Sequence, residues 1–198
     1  VWGHLFGRSV DCYTDVFTVF GEPLAKFLCG GMSPVDFFLV LGGYGLYHVY
    51  LYGNDQNRYK RIFRLYFHYW IILAICVPIG HYCAKPDKYP GSVWTIIMNM
   101  IGLSTNFNSE CWFLLPYSLV SLSSIYLFRF YDQFKIKYVI AFTFALNFTA
   151  NTLLHFYGVS FIKSHVWASL HVVYMQFQCP FYLGALLRKE NVFEKVKD

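Results

Sequence analysis

Residues 62–80 read IFRLYFHYWIILAICVPIG, and this stretch decides the fold class. Its only ionisable side chains, apart from tyrosine and cysteine, are Arg64 and His68, and both lie in its first half. An α-helix rises about 1.5 Å per residue, so about 20 apolar residues cross the hydrocarbon core of a membrane. The stretch therefore predicts a membrane-spanning helix.

Comparable apolar stretches recur along the chain. The run 92–105 (SVWTIIMNMIGLST) is shorter, and its depth in a membrane is left open. These runs predict an all-α fold, a polytopic transmembrane helical bundle. The other long runs cover residues 35–50, 112–130, 136–157 and 166–187.

The composition excludes an ordinary soluble domain. Hydrophobic residues make up 57% of the 198 residues and charged residues only 14%, whereas soluble domains average about 25% charged residues. Aromatic residues reach 22%, which is typical of chains with rings at membrane interfaces. The net charge of +5 is spread over short clusters between apolar runs, so we predict no nucleic-acid partner. The predicted environment is the lipid bilayer.

Basic residues predict the topology. Cytoplasmic loops of membrane proteins are enriched in Lys and Arg, so we place the three basic clusters in the cytoplasm. Alternation then gives about five full spans with the C-terminus inside. Residues 92–105 are then predicted to form an interfacial or re-entrant helix on the outer side. The protein is predicted to be a multi-pass protein of the plasma membrane. The clusters are Arg58, Lys60, Arg61 and Arg64; Arg129, Lys135 and Lys137; Arg188, Lys189, Lys195 and Lys197.

The first residues predict a partial helix. The sequence starts at Val1 without a Met, and VWGHLF has the character of the outer end of a helix whose earlier turns are missing. We therefore expect residues 1–198 to form a single, incomplete transmembrane domain.

Ionisable groups near the outer side are the first candidates for chemistry, because such groups are costly in a bilayer. His4, next to Arg8, has an unperturbed pKa near 6.5 and suits a general base; the alternative is an interfacial histidine without a catalytic role. Asp36 opens the second span. Glu110 and Trp112 lie at the mouth of the span 112–130. We predict that these groups line one cavity.

Three arginines are the second candidate. Arg58, Arg61 and Arg64 recur every three residues and so share roughly one helix face. Arginine binds phosphate with a two-pronged fork; the alternative is a cluster that sets topology and touches anionic lipid. Histidine spacing matches no H-E-x-x-H pattern, and we predict no metal site.

Five motifs together resemble the integral-membrane acyltransferase type 3 family, which O-acylates carbohydrates and related hydroxyl compounds. Gly42 departs from the serine usual in this family, Gly3 replaces a second histidine of some members, and the arginine-bearing start of the first helix is absent. The chain is similar to about the first half of the family's fold. The motifs are Gly3-His4-Leu5-Phe6, residues 37–44 (FFLVLGGY), Arg58 to Tyr66 (R-x-x-R-I-x-R-x-Y), Trp112-Phe113-Leu114 and residues 180–184 (PFYLG).

The resemblance implies an enzyme with acyl-CoA, most often acetyl-CoA, as co-substrate and no permanently bound cofactor. It implies that the three arginines hold the donor's phosphates and that His4 activates the acceptor hydroxyl, directly or as an acyl relay. Arg8, Asp36, Glu110 or Trp112 would orient the imidazole or the acceptor. Two other classes stay open: a transporter or channel, and a non-catalytic membrane fragment.

Overall fold

The protein is described here by a computed structural model that covers residues 18–19, 22–23, 34–53, 56–83, 89–158 and 165–195. The chain divides into two compact units, Val1–Phe38 and Leu39–Asp198. The described part of the smaller unit holds the antiparallel pair β1 (Thr18–Val19) and β2 (Glu22–Pro23), together with the first residues of a helix. Everything else described belongs to the larger unit.

Helices account for the larger unit, which confirms the helical class that the sequence predicts. Each long apolar run becomes a helix with ends within a few residues of the predicted ones, and the short run yields only an eight-residue helix. A 3₁₀ turn, Ser109–Phe113, leads into the fourth helix. The α-helices are α1 (Pro34–Tyr52), α2 (Gln56–Cys83), α3 (Val93–Met100), α4 (Leu114–Tyr131), α5 (Ile136–Tyr157), α6 (Val166–Lys189) and α7 (Val192–Lys195).

Three helical segments are long and apolar enough to cross a membrane: Arg58–Cys83, Cys111–Tyr131 and Ile136–Tyr157. The sequence predicts about five full spans, and the other two would be α1 and α6. These helices have 19 and 24 residues, so their length suffices. Neither helix is among the three candidate spans. Three candidate spans are thus established among the described residues.

Two glycines allow α1 and α6 to cross at backbone contact. A Cβ atom added at Gly43 would overlap the carbonyl oxygen of Phe181. In the reverse direction, a Cβ at Gly184 would overlap the carbonyl oxygen of Val40. Small residues at helix crossings permit this approach in membrane proteins. Both glycines belong to the motifs noted in the sequence, and here they fix the distance between two helices.

Aromatic packing and hydrogen bonds join α4 to α6. The rings of Phe128 and Phe181 stack with centroids 5.6 Å apart and an interplanar angle of 3°. The Tyr131 hydroxyl donates to Gln178 Oε1 at 2.9 Å, and both residues are buried. Hydrogen bonds between helices hold a specific pairing where apolar contacts alone discriminate little. The pairing brings the C-terminal ends of α4 and α6 to the same end of the larger unit.

The short helix α3 ends against the middle of α2. Carbonyl groups at a helix C-terminus have no partner within the helix and must find one elsewhere when water is excluded. Three aromatic side chains of α2 supply the donors, and the buried Asn99 side chain also accepts the Phe107 amide at 3.1 Å. The eight residues of α3 rise only about 12 Å, too little for a crossing. The three bonds are Tyr69 Oη to the Asn99 carbonyl, Trp70 Nε1 to the Met100 carbonyl and Tyr66 Oη to the Ile101 carbonyl, at 2.9, 2.9 and 3.0 Å.

Candidate functional site

Members of the three basic clusters meet at one end of the larger unit. Arg58 begins α2 beside the last turns of α1. Lys189, at the end of α6, pairs with Asp132 in the turn after α4. We call this region the basic end and define it by Arg58, the turn 132–135 and the residues Arg188 and Lys189. The start of α2, the end of α4, the start of α5 and the end of α6 come together here, because successive long helices run in opposite directions.

Arg58 is the most unusual residue of the basic end. Its exposure is only 7%, although arginine is rarely buried without a partner. Among the described residues, its Nε atom has no hydrogen-bond partner, and its Nη2 atom reaches only the Tyr59 hydroxyl, at 3.5 Å. Across the same ranges, no carboxylate lies within 4.0 Å of the guanidinium. Within the described part of the chain, this buried positive charge therefore has no counter-ion.

A small cleft adjoins this charge. Its walls come from α1, α2 and α4, so three helices enclose it. Arg58 and the Ser124 hydroxyl are its polar side chains besides the Tyr50 ring, although the Ser124 hydroxyl already donates to the Ser121 carbonyl at 2.7 Å. The remaining lining is apolar, which keeps the local dielectric constant low and strengthens attraction for an anion. The lining residues are Leu46, Val49, Tyr50, Arg58, Ser124 and Ile125.

The other two predicted arginines differ from Arg58. Arg61 is exposed, and its Nη1 lies near Gly45 of α1, 3.6 Å from where a Cβ would stand. Arg64 is also exposed. Its carbonyl bonds to His68 Nδ1 at 2.6 Å, in the next turn of the same helix. Of the three, Arg58 and Arg61 thus lie toward α1, while the contacts of Arg64 are within α2.

Asp132 connects α1, α4 and α6. Both of its carboxylate oxygens accept from the Tyr47 hydroxyl, at 3.2 and 3.3 Å. Lys189 Nζ lies 2.6 Å from Oδ1. Sequence patterns do not bring Tyr47 and Asp132 together, because the two residues are 85 positions apart. The one available signal was an acidic residue within a basic turn.

A second clamp joins α1 to α6. Arg188 Nε donates to His48 Nδ1 at 3.0 Å. Arg188 also donates to Asn191 Oδ1 at 2.6 Å and lies 3.4 Å from Glu194 Oε1. Its charge is therefore satisfied within the protein, unlike that of Arg58.

The predicted outer-side residues are only partly described. His4 and Arg8 lie outside the described residues. Asp36 is exposed in the first turn of α1, where a carboxylate interacts favourably with the helix dipole. Glu110 belongs to the 3₁₀ turn before α4, but its side chain is outside the described set. Trp112 in the same turn packs on Phe177 with centroids 6.1 Å apart. The predicted common cavity stays a prediction.

Known proteins give no independent guide to the site. No family model, curated protein or solved structure matches this chain. The acyltransferase resemblance therefore rests on the motifs quoted above. Within the described ranges, no group of three His, Cys, Asp or Glu side chains is placed to hold a metal ion.

Proposed function

We propose that this chain is part of a membrane O-acyltransferase that moves an acyl group, most simply acetyl, from acyl-CoA to a hydroxyl of a carbohydrate or related acceptor. The observation that carries the proposal is the buried charge of Arg58, which has no counter-ion among the described residues. Burying an unpaired ion costs several kcal/mol. A fold that keeps such a charge beside an open cleft is suited to receive an anionic group from a ligand.

A phosphate group of acyl-CoA matches this cleft in charge. The cleft between the three helices has room for about one water molecule, so a phosphate would bind only if the side chains around Arg58 moved apart. Arg61, exposed near Gly45, is available to a second phosphate of the same donor. The rest of the donor would lie outside the cleft.

The chemistry proposed for the outer side follows from the nature of acyl transfer. The acceptor hydroxyl loses its proton to His4 as its oxygen attacks the acyl carbonyl. The ester C–O bond forms, the thioester C–S bond breaks, and the proton passes to the departing CoA sulfur. In the relay alternative, the imidazole nitrogen attacks the thioester carbonyl, the C–S bond breaks, and CoA leaves as a thiol with the imidazole proton. The acceptor hydroxyl then attacks the acyl-imidazole, the C–N bond breaks as the ester C–O bond forms, and the hydroxyl proton passes to the imidazole. Arg8, Asp36, Glu110 or Trp112 would orient the imidazole or the acceptor.

A transporter or channel is the second candidate. The observation that favours it is α3, a short helix that ends midway along α2, because broken helices are frequent in transporters. However, Tyr66, Tyr69 and Trp70 already occupy the carbonyls at its end. Flux of a solute into proteoliposomes without acyl-CoA would favour this class over the enzyme.

The Arg58→Met variant tests the donor site. Methionine fills similar volume without charge, and replacing a buried ion by an apolar residue is often neutral or stabilising. We expect the thermal midpoint to stay level or rise. Acetyl-CoA affinity, measured by calorimetry on the intact protein in nanodiscs, should fall about 10- to 150-fold, since a hydrogen bond to a charged group contributes about 1.5–3 kcal/mol.

Arg129→Met is the matched control, because Arg129 is exposed in the last turn of α4 and is not one of the three arginines that the resemblance places at the donor's phosphates. We expect a smaller loss of affinity from it than from Arg58→Met. Unchanged acetyl-CoA affinity in a well-folded Arg58→Met variant would contradict the donor site, and a large fall in the thermal midpoint would mean that the arginine is structural.

The proposed topology has five full spans, with α1 and α6 added to the three candidate spans and α3 as a re-entrant or interfacial helix. Single cysteines in a cysteine-free background should be labelled from the cytoplasm at Asp55 and Asp132. Positions Asp87 and Lys163 should be labelled from outside. Impermeant maleimide applied to cells, then to inverted vesicles, measures this directly. External labelling at Asp132 would rule out the arrangement.

A further inference from the structure

The turn between α4 and α5 has to lie at a membrane surface. It comprises residues 132–135 and joins the candidate spans Cys111–Tyr131 and Ile136–Tyr157. Four residues cannot extend far from the bilayer at about 3.5 Å each. When the two helices cross, this turn and the helix ends beside it therefore stay among the lipid headgroups.

The charge around the turn is strongly positive and is not neutralised by the residues that the structure describes. Arg129, Lys135 and Lys137 are exposed. The carboxylate among them, Asp132, is bound by Lys189 Nζ at 2.6 Å and by the Tyr47 hydroxyl at 3.2 Å. Throughout the described ranges, no carboxylate lies within ion-pair distance of the three exposed cations.

Exposed aromatic rings accompany these cations. Phe130 and Phe134 lie with ring centroids 5.0 Å apart and exposures of 46% and 48%. Tyr138 is exposed as well, and the Lys137 ammonium lies 5.1 Å from its ring centroid. Aromatic side chains favour the boundary between headgroups and acyl chains. Rings and cations thus occur together at the level where a lipid headgroup sits.

We infer that this turn, with Arg129, Lys135 and Lys137 as its cations and Phe130, Phe134 and Tyr138 as its rings, is a binding surface for anionic phospholipid headgroups. A soluble phosphate compound would be attracted by the three cations, but it has no acyl chains to contact the three rings, so its affinity should be lower. A zwitterionic lipid would contact the rings, but it has no net negative charge to be attracted by the cations. None of these six residues lines the cleft at Arg58, so the inference does not depend on the proposed acyl transfer.

Lipid titration of the purified intact protein tests the surface. Native mass spectrometry from a neutral detergent, at low ionic strength, would follow binding of dioleoyl phosphatidylglycerol, dioleoyl phosphatidylcholine and soluble glycerol 3-phosphate. We expect the anionic lipid to bind tightest, with a preference that shrinks as salt rises. Each juxtamembrane cation contributes about fivefold. Changing Arg129, Lys135 and Lys137 together to Gln should weaken phosphatidylglycerol binding on the order of 100-fold.

The matched control removes three cations elsewhere, as Lys85→Gln, Lys88→Gln and Lys163→Gln together, and should change this affinity by less than about threefold. Phe134→Ser keeps every charge. It should lower the affinity for phosphatidylglycerol without raising the affinity for glycerol 3-phosphate. The inference fails if the turn variant keeps its affinity for phosphatidylglycerol, if the control variant loses as much, or if glycerol 3-phosphate binds as tightly as the lipid.

Discussion

Gly43→Ala should strongly destabilise the protein, and Gly45→Ala, two residues away on the same helix, should not. The added methyl at position 43 would overlap the Phe181 carbonyl oxygen, which belongs to backbone and cannot move aside. At position 45 the nearest atom is the flexible end of Arg61, at an ordinary contact distance of 3.6 Å. The two substitutions are chemically identical, so their difference isolates the helix crossing.

The expected size follows from overpacking, which costs about 1–3 kcal/mol and occasionally more. We expect Gly43→Ala to lower the free energy of unfolding by about 3 kcal/mol or more, because the backbones of α1 and α6 have to separate. In a protein of this size that lowers the thermal midpoint by about 6–12 °C. Gly45→Ala should raise the midpoint slightly, since alanine favours a helix over glycine by about 0.5–1 kcal/mol.

Thermal unfolding in detergent, followed by tryptophan fluorescence, measures both variants. Gly184→Ala provides a reciprocal test, because its Cβ would overlap the Val40 carbonyl from the other side of the same crossing. It should resemble Gly43→Ala. Equal midpoints for Gly43→Ala and Gly45→Ala would show that α1 and α6 do not cross at backbone contact.

The helices could be predicted from the sequence because a membrane-spanning helix is a local pattern. An apolar run of sufficient length determines its own backbone hydrogen bonding, whatever lies beside it. The predicted run 136–157 coincides with α5, and the run 166–187 gives α6 with two further residues. Composition alone was less able to decide how many of these helices are apolar enough to cross.

The differences among the arginines could not be predicted from spacing. Positions three apart were expected to share one face, but each such step turns the helix by about 300°. Arg64 is thus rotated about 120° away from Arg58. Which of the arginines becomes buried depends on where α1 and α4 pack, and that depends on contacts distant in sequence. The cleft lining residue Ser124 illustrates the same limit, because nothing in its neighbourhood marks it as part of a site.

The contact between α1 and α6 at the two glycines also reduces the support that two of the motifs give to the acyltransferase resemblance. Gly43 and Gly184 lie in two of the five motifs that carry the acyltransferase resemblance, and helix packing explains both. A membrane protein of another class could use the same residues for the same reason. The proposed chemistry therefore depends on Arg58 and Arg61 for the donor and on His4 for the transfer.

His4→Gln in the intact protein should abolish acyl transfer while donor binding stays nearly unchanged. Glutamine keeps hydrogen-bonding capacity but can neither accept the hydroxyl proton nor carry an acyl group. General-base catalysis contributes about 10²–10⁴-fold, so the rate should fall by at least about 10²-fold. Acetyl-CoA affinity should change little, because the proposed phosphate site is built from α1, α2 and α4. Transfer of label from acetyl-CoA to polysaccharide in membranes measures the rate.

His171→Gln is the matched control, because His171 is exposed on α6 and its Nδ1 donates to the Trp167 carbonyl of its own helix at 2.7 Å. We expect that variant to keep transfer at about the wild-type level, since helix-surface substitutions usually change stability by less than about 0.5 kcal/mol. An interfacial histidine without a catalytic role would tolerate glutamine as His171 does. If His4→Gln kept more than about a tenth of the wild-type rate, the loss would be too small for a general base, and His4 would have no place in the mechanism.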